Sequence, residues 1–152
     1  MSNVPLHHPA YDFREFGYHV MTCPIAVVAE NLVQLANVQD QHALRWLDPL
    51  MDDGPTDRFL NDLNIAVQHV EFRTNVRLTH SATGKPKHFR LTQATFSGSH
   101  LELVALAVIR ILIDEYTNRL HRCQLTDCGK YFVGDPRSRW CSTTCGSKYR
   151  VR

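Results

Sequence analysis

Four of the five cysteines lie close together near the carboxyl end, in CQLTDCGKYFVGDPRSRWCSTTC (residues 123–145), and no other feature constrains the fold as much. They form two local pairs, C-x4-C and C-x3-C, separated by twelve residues. Zinc takes four soft ligands in a tetrahedron, and neighbouring thiolates are the usual way for a short stretch of chain to supply them. Two disulfides would need an oxidising compartment. A redox switch that releases its metal on oxidation is compatible with the metal assignment. Clustering four deep at this spacing favours one metal site built from Cys123, Cys128, Cys141 and Cys145, closed by four thiolates and therefore structural.

Charge follows the cysteines. From His121 to Arg152 there are seven basic residues and two acids, Asp127 and Asp135, giving +5. The remaining ten basic and thirteen acidic residues leave −3 for positions 1–120. At 43% hydrophobic and 21% charged, the chain can bury a core and is not disordered in composition. No basic n-region followed by an apolar run opens the sequence, and Leu103–Ile113 is too short to span a bilayer. A soluble cytoplasmic protein without a membrane partner is expected.

The first 120 residues read as an α+β domain, and 121–152 as a small appended module. Tyr11, Phe13, Phe16 and Tyr18 show no clear period and suit a strand or an arm. After Pro24, at a first-turn position, Ile25, Val28, Leu32 and Leu35 recur at helical spacing up to residues 37–40. His42–Leu47 fits a short helical piece stopped by Pro49, and MDDGP (51–55) is turn chemistry. Asp57 is placed to cap a helix running to Val70. From Phe72 the period falls to two. Phe72, Thr74, Val76 and Leu78, then Phe89 and Leu91 across SATGKP (81–86), predict a β-hairpin. Ser99 and Glu102 form a capping-box pattern ahead of a buried helix expected over 100–120, which would lead straight into Cys123.

Within the module, Gly129 follows Cys128 where the chain must turn tightly, and Tyr131 and Phe132 are expected to pack against the metal site. Cys141 and Cys145 are four apart, so a helix started by Ser142 and the threonines would stack them on one face. Knuckle, hairpin and helix-borne ligand pair describe a treble-clef finger. This stretch resembles the CGNR zinc finger, found at the C-terminus of bacterial proteins whose N-terminal part is called the ABATE domain. The resemblance is carried by Cys123, Cys128 and Gly129, by Phe132, by the Arg139–Ser142 run and by Cys145-Gly146. The name-giving Cys-Gly-Asn-Arg reads Cys145-Gly146-Ser147-Lys148 here. The resemblance implies zinc on the four cysteines, and a role in DNA binding and transcription regulation.

A closed metal site does no chemistry, so function is expected on the surface it shapes. Lys130, Arg137 and Arg139 fall on the hairpin, and Lys148, Arg150 and Arg152 on the terminal helix. On one face they would contact DNA phosphates while Trp140 approaches a base, unless Trp140 is the finger's own core. The same surface would equally serve a protein partner. Dimerisation through the N-terminal part would double the contacts and read a two-fold site, and an enclosed small-molecule effector is compatible with that domain. His42 near Asp40, Asp52–Asp53 and His100 beside Glu102 lack catalytic or metal-ligand spacing, so no enzyme is expected. His121 is expected to hydrogen-bond near the site, and Cys23 reads as a small buried hydrophobe.

Overall fold

The computed structural model describes residues 23–80, 83, 84 and 86–151. The aromatics before Cys23 and the basic Arg152 lie outside them. The fold is α+β. Three helices, α1 (Ile25–Asn37), α2 (Gln41–Asp53) and α3 (Asp57–Val67), lead into a hairpin of β1 (Glu71–His80) and β2 (Pro86–Ser97). Helix α4 (His100–Ile113) follows, then a 3-10 turn (Thr117–Arg119), two short strands, β3 (Leu120–Arg122) and β4 (Tyr131–Val133), and helix α5 (Thr143–Val151).

Helix α4 is the centre of the core. α1, α2 and α3 all pack on it, and Leu103 to Val108 are buried without a break, so its middle is apolar all round. Ser99 and Glu102 close the expected capping box at its start. The helix stops seven residues before the expected end. Glu115 takes a left-handed φ of 55°, and the Tyr116 and Glu115 amides return to the Ile111 and Leu112 carbonyls. That is a Schellman ending, made here by a residue other than glycine. The chain therefore turns back into β3 before it reaches Cys123.

Helix α1 ends in the same way. Gln39 has φ 65°, while the Asp40 and Gln39 amides reach the Leu35 and Ala36 carbonyls. Asp40 then caps α2, accepting hydrogen bonds from the His42 and Ala43 amides. Proline 24 sits at the N-cap of α1, one place before the first-turn position expected for it.

Pro49 does not stop α2, which runs through it to Asp53. Trp46, Leu47 and Leu50 are buried on the core side, and Pro49 itself is exposed. Burial of those three side chains outweighs the lost amide, and Arg45, whose carbonyl loses its helical partner, is exposed to water. The turn is thus shorter than MDDGP and begins at Gly54, with φ 74°. Thr56, not Asp57, caps α3, its hydroxyl accepting from the Phe59 amide at 3.2 Å. Asp57 is instead the first helical residue, where a carboxylate complements the helix dipole.

β1 and β2 pair antiparallel as the alternation predicts, with Phe72 opposite Phe96, Val76 opposite Leu91 and Leu78 opposite Phe89. Register shifts fall between Asn75 and Val76 and between Thr79 and His80. β3 and β4 form a separate antiparallel pair. Leu120 and Tyr131 belong to the same buried cluster as the helices, so the cysteine-bearing segment is seated on the helical core.

Candidate metal centre

The first ligand pair brackets the β3–β4 connection. The Cys123 amide donates to the Lys130 carbonyl at 2.8 Å, and the Cys128 and Gly129 amides both donate to Leu125. Gly129 has φ 61°, a conformation in which a Cβ is strained. The second pair arrives through the loop after β4. The Gln124 amide reaches the Arg139 carbonyl at 2.9 Å, tying that loop to the knuckle. Ser142 then starts α5, its hydroxyl accepting from the Cys145 amide at 3.2 Å. Cys141 lies just before the helix and Cys145 in its first turn, so only Cys145 is helical.

These elements bring the four sulfurs together within 4.8 Å of one another. Cys128–Cys141 and Cys141–Cys145 are each separated by 3.6 Å. A tetrahedral site with metal–sulfur bonds of about 2.3 Å puts its sulfurs ~3.8 Å apart, and a disulfide would need ~2.05 Å. All five cysteines are free thiols. The spacing therefore fits a metal held by four sulfurs and does not fit a bonded pair. Among the described residues no histidine or carboxylate joins the donor set, so the four sulfurs make a soft, closed site.

The thiols do not share one proton affinity. Burial, then hydrogen bonds given by its own S–H to Cys128, Cys145 and Cys123, push the Cys141 thiol up to about 12. A hydrogen bond from Ser142, then one from Cys141, holds Cys145 below its ordinary value. A cation among the sulfurs inverts this balance, because each ligand binds as thiolate.

The aromatics do not line the site as expected. Alternation along β4 sends Tyr131 and Val133 toward the helical core, and Phe132 to the other face against His121, with ring centroids 5.2 Å apart. Tyr131 donates its hydroxyl to the Asp48 carboxylate. Burial, then that bond, raises its phenol to about 12. Arg122 donates to the Tyr131 oxygen at 2.7 Å and to Asp48 and Asp52 at 3.0 Å. Asn37, at the end of α1, gives its amide hydrogens to the Tyr131 carbonyl and takes the Tyr131 amide hydrogen, both at 2.9 Å. The side chain thus occupies the edge of β4 as a neighbouring strand would. Asp48 and Asp52 share a face of α2 by their spacing, but their partner, and that of Asn37, is remote in sequence.

His121 bonds the Asp135 carbonyl at 2.8 Å rather than a sulfur. His100 reaches the free oxygen of Asp40 at 2.9 Å, with His42 edge-on at 5.6 Å. That trio ties the α1–α2 junction to the start of α4, and nothing in the local spacing announced it. Cys23 is buried as expected, and burial raises its thiol.

Of the basic residues singled out, the structure brings Arg137, Arg139 and Arg150 around one groove of about 560 Å³, with Trp140 in its wall. Lys130 and Lys148 are exposed but do not line it. Trp140 packs on α5: a Cβ at Gly146 would lie 3.3 Å from its ring, and the Tyr149 ring is 5.4 Å away. It belongs to the finger's own core. No helix among the described residues is long and apolar enough to cross a membrane. No protein-family model matches the chain, and no curated protein matches it.

Proposed function

We propose that the protein is a zinc-stabilised DNA-binding protein of the CGNR type, acting in the cytoplasm as a transcription regulator. Zinc suits a closed site of four thiolates, where it supplies folding energy and no reaction. Cys123, Cys128, Cys141 and Cys145 would hold it. The knuckle and α5 then keep the Arg137–Trp140 loop and the helix at a constant separation.

The observation that carries the DNA reading is the state of the arginines. The arginines leading into the knuckle are neutralised: Arg119 pairs with Asp135 at 3.1 Å, and Arg122 with Asp48 and Asp52. Arg137, Arg139 and Arg150 converge on one groove, and no acid pairs with them among the described residues. Converging, uncompensated guanidinium groups are suited to phosphate.

Two measurements test the two halves separately. Protein purified under reducing conditions should carry one zinc per chain, and a metal-free product refutes the zinc assignment. Zinc-loaded protein should retard duplex DNA at low salt, and an Arg137→Ala/Arg139→Ala variant should not. No retardation at low salt refutes the DNA half and favours a protein partner for the same surface.

A further inference from the structure

We infer that the groove beside the metal centre grips the DNA backbone through three phosphates and does not read bases. This rests on the nucleic-acid reading above and narrows it. The groove lies between the loop ending at Trp140 and one stripe of α5: Thr143, Gly146, Ser147 and Arg150 recur at helical spacing and all line it. Lys148 falls off that stripe, and Lys130 lies on the knuckle side. Neither lines the groove, so among the described residues the footprint has three cationic contacts, with Arg152 lying outside them.

The chemistry of the lining separates backbone from base recognition. Among the described residues its polar side chains are guanidinium groups, hydroxyls and the Trp140 indole, with no amide and no carboxylate. Adenine is read in the major groove by Asn or Gln, and the cytosine amine by Asp or Glu. Those readers are missing. Arginine can pair with guanine, but three guanidinium groups and the hydroxyls of Ser142, Thr143 and Ser147 around one hollow match the oxygens of phosphates. The aromatic wall offers no base platform either. Gly146 lies against the Trp140 ring, the Tyr149 ring sits beside it, and the Arg150 guanidinium is 5.9 Å from its centre. The ring is already engaged by α5, whereas single-strand binders leave aromatic faces for bases to stack on.

The test uses zinc-loaded full-length protein and labelled duplexes of unrelated sequence, followed by fluorescence anisotropy across a potassium chloride series. Affinities should agree within about threefold between sequences, and log K against log salt should fall with a slope near −2.7, about 0.9 per phosphate. Arg137→Ala, Arg139→Ala and Arg150→Ala should each make the slope shallower by about 0.9, and Lys130→Ala and Lys148→Ala should leave it unchanged. All five side chains are exposed, and zinc content with circular dichroism verifies folding of each variant. A preference above about tenfold for one duplex, lost in an arginine variant, overturns the inference while leaving DNA binding intact. So does a slope that responds to the lysines and not to the arginines. No binding at the lowest salt removes the nucleic-acid reading itself, and this inference with it.

Discussion

Replacing Asn37 with alanine tests whether the finger is held on the helices by the two hydrogen bonds this side chain makes to the Tyr131 backbone. Both are 2.9 Å long, and together they satisfy one donor and one acceptor on β4. A hydrogen bond contributes a net ~1 kcal/mol, so two contribute about 2. Asn37 is exposed, so water can replace the amide, and the larger penalty for orphaned buried groups does not apply. Alanine recovers about 0.5 kcal/mol of helix propensity at the last turn of α1. The net loss should be about 1.5 kcal/mol, seen in urea at fixed free zinc as a lower midpoint with an unchanged slope. In a thermal scan it corresponds to a drop of about 3–6 °C for a chain of this size. Asn37→Asp should lose at least as much at neutral pH, since a carboxylate has no hydrogen to give and would face the Tyr131 carbonyl. A loss below about 0.5 kcal/mol in both variants would show that α1 does not hold β4 in this way.

Cys128→Ser or Cys145→Ser should abolish metal binding and disorder the finger while most of the far-UV helical signal survives, and collapse of the whole helical signal would refute that separation. Thr56→Ala should cost about 1 kcal/mol through loss of the α3 cap, and Asp57→Ala only a few tenths. The reverse order, read from urea midpoints, would return the cap to Asp57. Asp40 supplies a pH dependence. Burial raises its carboxyl, but hydrogen bonds from the Ala43 amide and His100 outweigh burial and hold it below the ordinary value. Its folded pKa is therefore the lower one. The associated stability is present above pH ~4 and is lost as pH falls through the folded pKa. Asp40→Asn cannot ionise, so its urea midpoint should fall less than the parent's between pH ~5 and ~3, metal release being common to both. Equal falls would exclude the contribution.

Features written within a few neighbouring residues were legible before the structure. The capping box of Ser99 and Glu102, the hairpin alternation from Phe72 onward and the cysteine pairs are all of this kind. Helix ends were less legible, because Gln39 and Glu115 take the left-handed conformation normally announced by glycine. Pro49 misled for a different reason. The cost of a missing amide is local, but the burial of Trp46, Leu47 and Leu50 that overcomes it is set by packing. The sign of the finger's charge could be read directly, whereas its grouping could not. Whether Arg150 or Lys148 shares a groove with Arg137 depends on which stripe of α5 faces the loop. The Asn37–Tyr131 bonds join residues 94 positions apart, with no local pattern at either end.

The placement of the two tryptophans gives the protein an optical asymmetry. Trp46 is sealed in the helical core, 2% exposed, edge-on to Phe59. Trp140 stands in the groove wall. Emission from Trp46 should respond only when the helical core opens, and emission from Trp140 also to events at the finger. A Trp46→Phe variant would leave Trp140 as the single tryptophan, beside the arginines, so that metal loading and occupancy of the groove could be followed by tryptophan-selective excitation without attaching a dye. The complementary Trp140→Phe protein would report the integrity of the helices alone. Titrating the pair in parallel would separate a signal from the groove from one caused by unfolding.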